Sequence, residues 1–328
     1  MVNNSPLSQL TVLVSCYNKN RFIANFLSQA IELLNLGAEI VVIDDGSKDG
    51  SKELLEKFAE KGVPGWRLFT QENKGSAATR NKLLSLATRE WVLFLDIDDS
   101  IESNNVVSAI SESKSNNCDL IVGSYKISPL GTLGPIPKHV DTPTIVEFSS
   151  IRHEVRKCMG YWRYIYRRDF VKSNLLHFSP THAELKGKPF ILDDAFWMVS
   201  LMSAKCKILV LPETQIIYNW HVENPTKESL QRYRSQQALL PIASNIFLDS
   251  KPGVYWQFHD YQLEGLLSII KDSSRELPID LYLKSEIERI KFCFRLIKLS
   301  KGKYSYEVFL LLTKSLIRSI FNSSRVEK

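Results

Sequence analysis

The residues best suited to chemistry form an acidic cluster, Asp96-Ile97-Asp98-Asp99, which directly follows an apolar run at 91–95. In an extended segment, side chains two residues apart project to the same side, so the carboxylates of Asp96 and Asp98 can converge on one cation. Hard oxygen ligands of this kind suit Mg²⁺ or Mn²⁺, which complete their coordination with water and substrate phosphates. The cluster therefore predicts a divalent-cation site, and a solvated acidic turn is the alternative.

The elements that must position this cluster alternate between strand-like and helix-like segments. Compact apolar runs predict strands at Leu10–Cys16, 39–43, Trp66–Thr70 and 91–95, and helical spacing predicts helices at 21–36, 51–61 and 77–87. Such alternation predicts an α/β fold with a mostly parallel sheet covered by helices on both faces. Ligands of such sheets bind beyond the carboxyl ends of the strands, which is where the acidic cluster lies.

Four motifs follow one another along the chain, at the predicted strand ends and at the start of a predicted helix: VSCYN, VVIDDGSKDGS, QENKGSAATRN and the acidic cluster. Together they resemble the nucleotide-binding half of the inverting family 2 glycosyltransferases of GT-A fold, over roughly residues 8–125. The resemblance implies a Rossmann-like, mostly parallel sheet flanked by helices. It also implies a nucleoside-diphosphate sugar as donor, with a uridine diphosphate (UDP) sugar preferred.

The resemblance implies two groups of donor-binding residues. Those expected around the base, the ribose and the rest of the nucleotide are Ser15, Tyr17, Asp44, Arg80 and Asp96. Those expected to hold the metal and the diphosphate are Asp98 and Asp99, with Mn²⁺ or Mg²⁺ as the cofactor.

The second half resembles the acceptor portion of bacterial surface-polysaccharide members of that family, through WRYIYRRDFVKSN and ILDDAFWMVSLM. In the family, an aspartate of a Glu-Asp motif is the general base. Here Leu192 replaces the usual glutamate, so counting back from Phe196 selects Asp193 and counting back from Trp197 selects Asp194. Asp193 is preferred, and a helix N-terminal charge cap is the alternative for both. His221 falls where the family often has a basic residue facing the diphosphate.

Composition limits the partners and the compartment. The net charge of the chain is +6, and residues 281–328, with eleven Lys and Arg and four Glu, contribute +7 to it. Residues 1–280 therefore sum to −1 and offer no net positive field to nucleic acid. The five cysteines are scattered without a Cys-x-x-Cys pair, which favours reduced thiols over a zinc site or disulfides. With neither a signal-like start nor an apolar run of ~20 residues, we expect a cytoplasmic protein.

The predicted domains are a GT-A domain at 8–225 and a helical C-terminal region at 226–328. The GT-A domain comprises the nucleotide-binding half, 8–125, and an acceptor half, 126–225. The basic amphipathic segments of the C-terminal region either lie on the inner face of the cell membrane, beside a lipid-linked acceptor, or pack as a helical hairpin or dimer contact.

These observations predict a metal-dependent inverting glycosyltransferase that moves a hexose-type sugar to a hydroxyl of a glycan or lipid-linked acceptor. A sugar-phosphate nucleotidylyltransferase would use a similar sheet, but it needs a Gly-rich loop after the first strand, and residues 15–20 contain no glycine. A non-catalytic scaffold that kept the fold is a further alternative, which Leu192 favours.

Overall fold

The computed structural model describes residues 5–134, 139–151, 160–179 and 193–219, which lie in the first of two compact units of the chain. Residue 221 and the predicted C-terminal helices at 226–328 lie outside the described residues.

A mixed sheet forms the centre of the described unit. Its strands are β1 (Leu10–Cys16), β2 (Glu39–Asp44), β3 (Trp66–Thr70), β4 (Trp91–Asp96), β5 (Ser100–Ile101), β6 (Leu120–Ser128), β7 (Thr132–Gly134), β8 (Thr144–Glu147), β9 (Tyr164–Arg167) and β10 (Lys207–Asn219). The helices are α1 (Asn20–Asn35), α2 (Ser51–Ala59), α3 (Ser76–Leu86), α4 (Ser103–Ser115), α5 (Phe148–Ile151), α6 (Arg168–Ser173) and α7 (Asp193–Ser203), with a 3₁₀ turn at Tyr161–Arg163.

The strand order is β3-β2-β1-β4-β9-β6-β10-β5, with β7 on β6 and β8 on β10. The first four strands are parallel, whereas β9 runs antiparallel to both β4 and β6. The chain leaves β1 towards β2 and β3 and then returns to the other side of β1 as β4. This reversal creates a crevice beyond the carboxyl ends of β1 and β4, the usual place for a ligand in an open α/β sheet.

The four parallel strands begin and end within one residue of their predicted bounds. Strands β1, β2 and β4 are mostly apolar because helices cover both faces, and every residue of β2 is buried, whereas the outer strand β3 is only partly buried. The α/β fold predicted from the sequence is therefore confirmed, and the purely parallel part of its sheet consists of β1, β2, β3 and β4.

Two further stretches complete the sheet. The proline-containing segment 129–143 contributes the short strand β7 at Thr132–Gly134. Residues 207–219 form one strand, β10, in which irregularities of the pairing with β6 accommodate Pro212, which has no N–H to donate. Gly123 of β6 is required there, since an added Cβ would lie 2.4 Å from the carbonyl oxygen of Glu213.

Candidate active site

A cleft of about 490 Å³ opens at the carboxyl ends of β1 and β4. The described residues that line it are Ser15, Cys16, Tyr17, Lys19, Asp45, Asn73, Gly75, Ser76, Thr79, Arg80, Asp96, Ile97, Asp98, Asp99, Tyr218 and Asn219. Parallel pairing of β1 with β4 places Ser15 directly beside Asp96, so strand register alone brings the first motif to the acidic cluster.

The motif VVIDDGSKDGS, which begins in β2, holds the loop that follows β1. The backbone N–H of Asn18, which has a φ of +52°, donates to Ser47 Oγ at 2.9 Å. The backbone N–H of Lys19 donates to Ser51 Oγ at 2.9 Å, and that hydroxyl donates to Asp49 Oδ1 at 2.5 Å. Asparagine tolerates the left-handed conformation better than most residues. The serines and acidic residues of VVIDDGSKDGS thus fix the backbone on which Tyr17 and Lys19 enter the cleft.

Asp45 fixes the third motif. Its carboxylate accepts hydrogen bonds from the backbone N–H groups of Lys74 and Gly75, both at 2.9 Å, and from Gln71 Nε2 at 2.8 Å. Sequence reasoning selected Asp44 and did not assign Asp45 a role, although both follow the same strand. Asp44 is only 1% exposed, does not line the cleft, and its Oδ1 has no hydrogen-bond partner within the described part of the chain.

The acidic cluster forms one wall of the cleft. Asp98 Oδ2 bonds the ammonium of Lys19, a contact that the sequence analysis missed. Asp99 Oδ1 accepts from the backbone N–H of Asn219 at 2.8 Å, which ties the cluster to the end of β10. Burial, and next the charge of Asp96, raise the pKa of Asp99 to about 8. Partial desolvation, opposed by the charge of Arg80, also raises the pKa of Asp96, whose side chain is only half-buried.

These residues fit a hard divalent cation of the Mg²⁺ or Mn²⁺ type. Desolvation, and for Asp99 also the nearby charge of Asp96, raises the pKa of Asp96 and Asp99, and a bound divalent cation would favour their charged forms. Among the described residues, no group of three or more His, Cys, Asp and Glu side chains is arranged to enclose a metal. Such cations are commonly held by one or two carboxylates together with water and substrate phosphates, so Asp98 and Asp99 are a sufficient protein contribution.

Arg80 links this wall to the start of α7. Its Nη1 donates to Asp193 Oδ2 at 2.8 Å, and its Nη2 lies 3.9 Å from Asp96 Oδ1. Ser76 Oγ donates to the same Asp193 oxygen at 3.0 Å. The guanidinium carbon lies 4.6 Å from the centre of the Tyr161 ring, within cation–π range. The structure therefore brings the two acidic motifs predicted from the sequence to one site through a shared arginine.

The two carboxylates that open α7 have different surroundings. Asp193 is buried at 5% exposure, and its Oδ2 already accepts from two side chains. Asp194 is exposed, and its Oδ1 accepts from the backbone N–H of Ala195 at 2.7 Å. His221, the remaining predicted residue, lies outside the described residues.

An aromatic cluster packs against Arg80 through the rings of Tyr161 and Phe178. Phe94 of β4 lies at its centre, with ring-centroid distances of 5.4–6.1 Å to its neighbours. Those neighbours are Tyr161, Tyr166, Phe178 and Trp197. The rings come from β4, the 3₁₀ turn, β9, the segment after α6, and α7, so they pack the start of α7 against the nucleotide-binding half.

Cys16 also lines the cleft, but it is not suited to act as a nucleophile. Burial, with a further contribution from the charge of Asp44, raises the pKa of its thiol to about 12. The thiol therefore stays protonated at neutral pH, whereas nucleophilic cysteines need the thiolate.

Comparison with known proteins identifies the family. The sequence profile of glycosyl transferase family 2 matches residues 11–175, half of the chain. The chain belongs to glycosyl transferase family 2. This membership confirms the resemblance predicted from the four motifs and the class of enzyme that it implied.

Two relatives illustrate the range of the family. The uncharacterized glycosyltransferase EpsJ of Bacillus subtilis is 26% identical over 246 residues, which cover 71% of this chain and 69% of EpsJ. The cholesterol galactosyltransferase of Borreliella burgdorferi is 34% identical over 119 residues, which cover 36% of this chain and only about a third, 33%, of that protein.

Two solved structures show the same fold. S. aureus TarS, residues 1–349, in complex with UDP-GlcNAc has a TM-score of 0.66 at 18% identity, over 98% of this chain and 92% of that chain. The mannosyltransferase PcManGT of Pyrobaculum calidifontis, in complex with GDP-Man and Mn²⁺, has a TM-score of 0.52 at 16% identity, over 96% of this chain and 87% of that chain. None of the helices in the described residues is long and apolar enough to cross a membrane.

Proposed function

We propose that this protein is a metal-dependent inverting glycosyltransferase that transfers a sugar from a nucleoside-diphosphate sugar to a hydroxyl of a glycan or lipid-linked acceptor. The observation that carries the proposal is the ion-paired Arg80, which joins the acidic cluster after β4 to the carboxylates that open α7. Donor binding and acceptor activation require these two kinds of group within one site. Family membership supports the transfer of a sugar rather than a nucleotide.

The nucleoside lies, in this proposal, against the end of β1. Tyr17 is 47% exposed at the mouth of the cleft and offers an aromatic face, while Ser15 and Asp96 lie side by side on neighbouring strands. Asp44 has a carboxylate oxygen that no described residue satisfies, but the residue is buried and does not line the cleft, so a hydrogen bond from it to the base requires a shift of the chain after β2. A UDP sugar is the preferred donor, since TarS of the same fold binds UDP-GlcNAc.

The diphosphate lies, in this proposal, beside Asp98 and Asp99, which would hold the divalent cation. When bound there, that cation supplies positive charge to the leaving nucleoside diphosphate without any proton transfer. The loop at 73–75, which Asp45 holds through the backbone N–H groups of Lys74 and Gly75, also lines the cleft.

The general base is proposed to be Asp194, with Asp193 as a positioning residue. A base for an inverting reaction must reach the acceptor hydroxyl on the face opposite the leaving group. Asp193 is buried, and one of its oxygens is occupied by Arg80 and Ser76, which suits the task of orienting the arginine. Asp194 is exposed at the first turn of α7, so the proposal gives it the contact with the acceptor, although neither carboxylate is among the described residues that line the cleft. This assignment replaces the preference for Asp193 that residue counting gave.

The acceptor is proposed to be a growing surface polysaccharide or its lipid-linked precursor. The names of relatives support this class, among them a poly-beta-1,6-N-acetyl-D-glucosamine synthase of Staphylococcus aureus, 32% identical over 105 residues. In this proposal residues 8–225 form the catalytic domain, and the basic region 226–328 brings the protein to the cytoplasmic face of the membrane.

Donor hydrolysis tests the proposal without knowledge of the acceptor. Purified protein is incubated with Mn²⁺ and a panel of UDP, GDP and dTDP sugars, and the released nucleoside diphosphate is measured. We expect slow release from one donor class, abolished by a chelator. Release of a nucleoside triphosphate when pyrophosphate is added would instead indicate a nucleotidylyltransferase, and no turnover with any donor would favour the scaffold.

The two carboxylates of α7 are then compared by transfer to an acceptor preparation. We expect Asp194→Asn to lose turnover while keeping donor affinity. We expect Asp193→Asn to weaken donor binding as well, because Arg80 loses its partner. Full transfer activity in Asp194→Asn would refute its assignment as the base.

A further inference from the structure

Lys19 is the feature of the cleft that the proposed function leaves unexplained. Its ammonium bonds Asp98 Oδ2, the carboxylate assigned to the divalent cation. The Asp98 side chain is 10% exposed and that of Lys19 is 32% exposed, so the pair is partly shielded from water. A divalent cation bound to Asp98 would lie close to the ammonium, and because the two positive charges repel, binding of the cation favours release of Lys19 from this carboxylate.

The position of Lys19 is built into the fold. Lys19 is the residue that precedes α1, and its backbone N–H donates a hydrogen bond to Ser51 Oγ at 2.9 Å. Its ammonium lies 5.4 Å from the centre of the Phe22 ring, which limits where the aliphatic chain can lie. The bond from the backbone N–H to Ser51 does not involve the ammonium, so the side chain can change rotamer within the cleft without breaking it.

Charge balance indicates where the ammonium goes. Of the described residues that line the cleft, only Lys19 and Arg80 carry positive charge. Arg80 is committed to Asp193 at 2.8 Å and lies near Asp96. A nucleoside diphosphate brings additional negative charge next to Asp98, and Lys19 is the cation beside that position.

We propose that Lys19 is a diphosphate-binding residue that is held on Asp98 in the empty enzyme and moves to the donor phosphates when the divalent cation takes its place. The proposal rests on the proposed function, because it assumes that Asp98 binds the cation. It adds an exchange of cations at Asp98, in which metal and donor bind together more favourably than either binds alone. This cooperativity between metal and donor would limit the binding of metal in the absence of donor.

The first experiment measures the affinity for Mn²⁺ alone, by electron paramagnetic resonance of the free ion, and needs no knowledge of the base. Removing the ammonium in Lys19→Met ends its competition for Asp98, so we expect the Kd for Mn²⁺ to fall about fivefold. Lys48→Met is the matched control, because Lys48 is an exposed lysine of the neighbouring loop that does not line the cleft. An unchanged Kd in Lys19→Met, or an equal change in Lys48→Met, overturns the proposal.

The second experiment measures nucleoside diphosphate binding with Mn²⁺ present, using whichever of UDP, GDP, dTDP and ADP stabilises the wild-type protein most. We expect Lys19→Met to weaken this affinity about tenfold, to leave the affinity of the matching nucleoside unchanged, and to be rescued by Lys19→Arg. Unchanged diphosphate affinity overturns the phosphate role.

Failure of the proposed function would look different. If neither the wild-type protein nor Lys19→Met binds Mn²⁺, with or without a nucleotide, then the metal assignment of Asp98 is wrong and the exchange falls with it. If the wild-type protein binds Mn²⁺ and nucleotide but the two proteins do not differ, the proposed function stands and only the exchange is refuted.

Discussion

Replacing Arg80 with methionine leaves the buried carboxylate of Asp193 without its cation, and the cost can be worked from the geometry. The Nη1–Oδ2 distance is 2.8 Å, and the side chains of Arg80 and Asp193 are 14% and 8% exposed. Unit charges about 4 Å apart at an effective dielectric constant of about 20 attract by about 4 kcal/mol, and desolvation offsets part of this. Because one partner stays buried and unpaired, we expect Arg80→Met to lower the free energy of unfolding by about 3–5 kcal/mol.

A double-mutant cycle separates the ion pair from the loss of packing. With Arg80→Met and Asp193→Asn as the single variants, we expect a coupling free energy of about 2 kcal/mol, from urea unfolding followed by tryptophan fluorescence. Asp96 provides the internal comparison, because it lies 3.9 Å from Arg80 and its side chain is 37% exposed. Its coupling to Arg80 should stay below about 1 kcal/mol. Additive effects of Arg80→Met and Asp193→Asn, within about 0.5 kcal/mol, would refute the claim that this ion pair joins the two halves of the site.

Three further substitutions test the scaffold. Phe94→Ala should lower the free energy of unfolding by about 3–5 kcal/mol, measured by urea unfolding, because four aromatic rings lose their common neighbour; a loss below about 1 kcal/mol would contradict this. Asp45→Ala should weaken nucleoside diphosphate binding about tenfold in calorimetry, because the loop at 73–75 loses its anchor; unchanged affinity would show that the loop holds itself. Burial raises the pKa of Glu39, but hydrogen bonds from Thr11, Arg67 and Thr88 outweigh it and hold the pKa below its usual value. The wild-type advantage in stability over Glu39→Gln should therefore be full above about pH 5 and shrink as the pH falls below the ordinary glutamate pKa of about 4.3; a pH-independent difference would contradict the pairing.

The sequence was most informative where one physical requirement acts alone. Buried parallel strands must be apolar on both faces, so β1, β2 and β4 could be placed to within one residue, and the ends of β1 and β4 marked the cleft. The acidic cluster and Arg80 were selected by their motifs, and the fold brings them together. Residue types at strand ends thus predicted where the site lies, and with Arg80 of α3 the predictions cover six of the sixteen described residues that line it.

The sequence was least informative where two neighbouring residues of the same type have different contacts and roles. Asp44 and Asp45 are indistinguishable by type, yet only the second anchors the loop at 73–75. Asp193 and Asp194 differ by burial, which depends on contacts with α3 that no local pattern encodes. The Lys19–Asp98 pair joins residues 79 positions apart and carries no signal in either segment.

The most direct test of the account compares Asp98→Asn with the wild-type protein in Mn²⁺-dependent release of nucleoside diphosphate from the preferred sugar nucleotide. The substitution removes one negative charge from the proposed cation site while keeping the shape of the side chain. We predict that the rate falls about 100-fold or more, the usual loss when one stabilising contact to a leaving group is removed. Release at the wild-type rate by Asp98→Asn would contradict the assignment of the acidic cluster on which the proposed function rests.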